Sequence, residues 1–189
     1  MEEKRNRWEV RAGTVAMAVG FFVWYTCSNW VSALTYDASF SYWWLNKSGA
    51  VVLVTVLACA VLWRISVPAR VARALDWAFA GVYACSLVVL LGGAGVGRPF
   101  SDVCGLLLFA AAQTWMVVRW GSCYARSSTD EVTRALLLAI ALVAAAKCVT
   151  TFLPETATMA LMLALPFLST GMLAVRLRDA GDERPAEQW

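Results

Sequence analysis

Long apolar runs joined by short charged or polar links make up most of the chain. The stretch RALLLAIALVAAAKCVTTFLP over 134–154 sets the type: one basic residue at its start, a nearly unbroken apolar run, then a proline and Glu155. At about 1.5 Å per residue, such a run crosses a hydrocarbon core of about 30 Å. The same design recurs, and it predicts helices over about 12–36, 48–63, 75–91, 102–120, 134–153 and 156–175. Glycine-rich GGAGVGRP ends the third, because its glycines do not sustain a helix. Ser128-Thr129-Asp130-Glu131 reads as an N-cap with acids in the first turn of the fifth. Pro166 lies inside the sixth, where a membrane helix tolerates the break. The expected fold is all-α: one bundle of six transmembrane helices over 12–176, with a polar segment at 1–11 and a polar tail at 177–189.

Composition agrees with that class. Hydrophobic residues make up 60% of the chain and charged residues 15%, with a mean hydropathy of +0.62. Globular domains run nearer to 45–50% and about 25%. Val31-Ser32-Ala33 faintly resembles a signal-peptide cleavage site, but the apolar run there far exceeds the usual stretch of about 7–15 residues. It is therefore expected to remain as the first membrane helix. Five of the six cysteines fall within apolar runs and no CxxC spacing occurs, so they read as small buried hydrophobes. Histidine is absent, which removes the commonest general base and metal ligand. No catalytic residue, metal or cofactor is expected, and the chain reads as a non-enzyme.

The basic residues orient the bundle. Counted from the N-terminal segment through successive loops to the tail, they number 4, 1, 3, 1, 3, 0 and 3. Basic residues collect on the cytoplasmic side, so both termini are expected there, in a bacterial cytoplasmic (inner) membrane. Trp8, Trp63, Trp77 and Trp120 then mark the inner boundary, and Trp43 and Trp44 the outer. Arg64, Arg70 and Arg73 meet lipid head groups. With its arginines spread through short loops, the chain is expected to bind no nucleic acid directly.

Lys147 is the one basic residue outside that count, and it lies within an apolar run. An ionisable group at that depth is expensive and marks a functional site by default. Val143, Ala144, Thr150 and Thr151 share its helix face, and small and hydroxyl residues suit helix contact. Helix one carries a polar stripe at similar depth, Tyr25, Ser28, Asn29, Ser32 and Tyr36. Helix four places Asp102, Phe109 and Gln113 on one face. Asp102 is the leading counter-ion for Lys147, with Asp37 and Glu155 as rivals. The candidate ligand-binding set is Lys147, Asp102, Asn29, Gln113, Ser28, Ser32 and Thr151, around an outward-facing polar cavity. The alternative is a lysine that snorkels outward among scattered structural hydrogen bonds. Ala12 with Ala16, and Gly81 with Cys85, are spacings that let helices approach closely.

Six helices with arginine-marked inner loops resemble one half of a major-facilitator-type unit. The segment FLPETATMALMLALPFLSTGML is similar to the transporter-like membrane sensor region of LuxR-type regulators from anaerobic actinobacteria. That family implies about twice as many helices followed by a helix-turn-helix domain, and RLRDAGDERPAEQW has no room for one. The inner-loop signature of the transporters is also absent between helices two and three, where Arg70 and Arg73 alone match its sense. The resemblance implies a truncated or stand-alone membrane half that senses or binds a small-molecule ligand from the outer side. Its expected partners are the lipid bilayer and a second membrane half or a second copy of itself. The alternative is a six-helix substrate-binding component, or half-unit, of a small-solute transporter, with Ala12 and Ala16 on its docking face.

Overall fold

A computed structural model of the chain describes residues 12–23, parts of 53–61, 67–92 and 99–183. The fold is all-helical, with no strand among the described residues. Helix α1, Ala12–Met17, continues into a π-helical segment, Ala18–Val23. It is followed by α2 (Ala69–Gly92), α3 (Pro99–Ala125), α4 (Thr129–Phe152) and α5 (Glu155–Glu183). The described residues of 53–61 are helical as well.

These helices overrun the apolar stretches that announce them. The apolar pattern places the starts of the third, fourth and fifth helices at about 75, 102 and 134, but α2, α3 and α4 begin at Ala69, Pro99 and Thr129. Hydropathy marks where a helix turns apolar, whereas arginine, glutamate and alanine keep the backbone helical on either side. Pro99 occupies the first position of α3, where a missing N–H leaves no hydrogen bond unmade. Ser128 caps α4: its Oγ accepts the Glu131 N–H at 3.3 Å, and Asp130 and Glu131 fill the first turn. Pro166 lies within α5, and its carbonyl accepts the Thr170 hydroxyl at 2.9 Å.

The tightest pairing is α2 against α3. Helix α5 packs on α2, α1 and the π segment, while α4 leans on α1 and the π segment. Trp120, Tyr83, Phe109, Met17 and Met116 fill the centre, each at most 2% exposed. Phe79 stacks on Trp115 at 5.2 Å between ring centroids, and Tyr83 tilts against Phe109 at 4.9 Å. Gly20 lies directly under the Trp120 indole, so a side chain at that position has no room. Of the small-residue pairs read from the sequence, Ala16 is buried inside this bundle and Ala12 is exposed. Gly81 has nothing within 4 Å of where a Cβ would stand, so it mediates no close approach among the described residues.

Candidate functional site

Two turns into α2, Asp76 is only 3% exposed. It faces Trp115 and Arg119, which stand one helical turn apart on α3 and share a face. Arg119 donates from Nε to Asp76 Oδ1 at 2.9 Å and from Nη2 to Oδ2 at 3.0 Å. The Trp115 indole N–H donates to Oδ1 at 2.9 Å. Three donors therefore converge on one carboxylate. The fork-to-fork geometry is the strong form of a charge-assisted pair, and it makes a buried pair tolerable where two unsatisfied charges would not be.

A second polar group lies at the same end of the bundle, where α3 turns into α4 and α5 runs past. Arg176 on α5 donates from Nη2 to Glu131 Oε2 at 3.0 Å and to Ser127 Oγ at 3.2 Å. Ser127 Oγ in turn donates to the Cys123 carbonyl at 3.0 Å and approaches Met17 Sδ at 3.6 Å. The Tyr124 hydroxyl donates to the Met17 carbonyl at 3.0 Å, where α1 passes into the π segment. The Trp120 indole N–H donates to Ser169 Oγ at 3.0 Å. Beyond the expected span of 102–120, burial pushes the Cys123 thiol up, opposed by the nearby Arg176 guanidinium. Cys123 is thus a protonated small hydrophobe, not a thiolate nucleophile. Among the described residues no cluster of three or more metal-ligating side chains occurs.

The ligand set read from the sequence is only partly in view. Ser28, Asn29 and Ser32 lie outside the described residues, as do the side chains of Lys147 and Asp102, whose backbones belong to α4 and α3. Thr151 is exposed near the end of α4. Gln113 is buried at 4% exposure, and its Oε1 finds no hydrogen-bond partner among the described residues.

Asp76 is the charged residue that the sequence reading passed over, and Glu131 was read there only as part of a helix cap. Arg119 and Arg176 were expected as surface charges of a loop and a tail, yet both are buried or nearly so and paired. The available signal was the spacing of Trp115 and Arg119 opposite an acid one residue from a tryptophan. Comparison of the chain with protein-family models, curated proteins and solved structures finds no match.

Proposed function

We propose that the chain is a multi-pass protein of the bacterial inner membrane, with six helices and both termini in the cytoplasm. Its role in this reading is non-enzymatic: it senses or binds a small ligand from the outer side. The observation that carries the membrane reading is the reversed placement of polar and apolar side chains. Asp76, Arg119, Gln113, Thr114, Ser169 and Thr170 are buried. Leu137, Ile140, Val149, Phe152, Val88 and Leu107 are more than half exposed. Water would penalise that arrangement, whereas hydrocarbon favours it. Two stretches, Ala69–Val89 and Thr156–Arg178, are long and apolar enough to cross a membrane. Only 33% and 39% of their apolar windows are buried, far from the near-complete burial of a soluble core helix. Helices α3 and α4, at 27 and 24 residues, are about 40 and 36 Å long at helical rise.

Cysteine labelling tests the topology. With the native cysteines replaced by alanine, Lys47→Cys is expected to react with an impermeant maleimide in intact cells. Arg126→Cys is expected to react only after permeabilisation. The reverse pattern, or one sidedness for both, would overturn the topology.

The ligand reading rests on Gln113. A buried amide oxygen left unpaired costs about 1–3 kcal/mol, and a polar ligand would recover that. In this reading Lys147 and Asp102 belong to the same ligand set. Native mass spectrometry of protein purified in mild detergent is expected to show a retained small molecule, and Gln113→Leu to lose it. A bare wild-type mass would remove the ligand reading while leaving the topology untouched.

A further inference from the structure

At the end of the bundle where the buried pairs gather, α2 carries two exposed arginines. On α2, Arg70, Arg73 and Trp77 follow one another at intervals of three and four residues and so share one helix face. All three are exposed, Trp77 at 51%. The first turn of α2 holds no acidic residue, and among the described residues neither arginine has an ion-pair partner. Asp76, the acid closest in sequence, is turned inward and fully engaged by Arg119 and Trp115. The fold therefore removes the one local carboxylate and leaves two guanidinium groups on the surface.

We infer that Arg70, Arg73 and Trp77 form a binding site for the head group of an anionic phospholipid. The two guanidinium groups take the lipid phosphate, since planar forks suit phosphate oxygens. From Arg70 to Trp77 the helix rises about 10 Å, enough to pass from the phosphate plane to the level where indole rings settle at a membrane boundary. A free anion would be held by the arginines without any use for Trp77. A lipid uses all three, and charge complementarity commits the face to that occupant. The inference rests on the membrane reading above.

The test compares detergent-purified wild type with Arg70→Gln/Arg73→Gln, scoring phosphatidylglycerol against phosphatidylcholine by native mass spectrometry. Each arginine near a lipid surface favours an anionic head group by about fivefold, so wild type should prefer phosphatidylglycerol by about 30-fold. The double variant should show almost no preference, and Arg70→Lys/Arg73→Lys should keep only part of it, since an ammonium lacks the planar fork. All substituted side chains are exposed, so thermal unfolding in phosphatidylcholine alone should be unchanged. A double variant that keeps the full preference would overturn the site. So would inorganic phosphate that competes away phosphatidylglycerol, because the occupant would then be a free anion. Flat lipid selectivity beside the expected labelling pattern faults this site alone. Reversed labelling beside intact selectivity faults the topology and leaves the site standing.

Discussion

Asp76→Ala is expected to destabilise the protein by about 3–5 kcal/mol, the usual consequence of removing one partner from a buried ion pair. The loss has two physical parts. Arg119, held at 8% exposure, loses the carboxylate that accepts its two hydrogen bonds. The Trp115 indole N–H, which now donates to Asp76 at 2.9 Å, loses its acceptor as well. Arg119→Ala strands the carboxylate in the same way. The double substitution Asp76→Ala/Arg119→Ala leaves neither charge behind and should recover much of either single loss. Thermal unfolding in detergent of all four proteins gives the coupling energy. Two single losses that simply add in the double variant would show that the pair is not coupled, whatever its geometry.

Gly20→Ala is expected to cost about 1–3 kcal/mol, the range for forcing a group into a packed core. A Cβ on Gly20 would stand 2.7 Å from Trp120 Cη2 and 3.0 Å from Met172 Cβ, with Cζ2 closer still. The indole has nowhere to retreat. It is fully buried, its N–H is tied to Ser169, and Phe21 and Tyr124 lie against it at 6.3 Å between centroids. In a Trp120→Phe background the two crowding atoms are gone, and the Gly20→Ala penalty should largely vanish. Gly81→Ala supplies the comparison, since a methyl there meets nothing within 4 Å. It should be neutral or add about 0.5–1 kcal/mol through helix propensity. Equal losses for Gly20→Ala in both backgrounds would place the strain in the π-helical backbone and not under the ring.

The all-helical fold was legible because each apolar run is long, and the cap at Ser128 was legible because its chemistry is local. Asp76 was not. With a helix expected from about residue 75, that acid reads as a boundary group facing water or head groups. The actual start at Ala69 carries it two turns inward, and only the partner helix shows what receives it. Arg176 was hidden similarly: its partner Glu131 is 45 residues away and had already been assigned to helix capping. The π segment Ala18–Val23 has no local signature in AVGFFV, and the closeness of Gly20 to the Trp120 ring is a contact across the bundle. Gln113 and Phe109, four residues apart, read as sharing one helix face, and both are buried. The rule that separates these cases is range: what a residue does within its own turn can be read, and what it does across the bundle cannot.

Several polar bonds that tie one described helix to another gather toward one end. Asp76 to Arg119 and Trp115, Trp120 to Ser169, Tyr124 to Met17, and Arg176 to Glu131 all lie toward the Arg119–Glu131 side. Each is directional and fixes how its two helices are rotated against one another, where apolar contact alone lets side chains slide past. These bonds act as rivets at the handle of a pair of tongs. Amide exchange should therefore be slow beside Asp76 and Trp120. In the proposed orientation the riveted end faces the cytoplasm, so a ligand arriving from outside meets the bundle at the end away from these rivets.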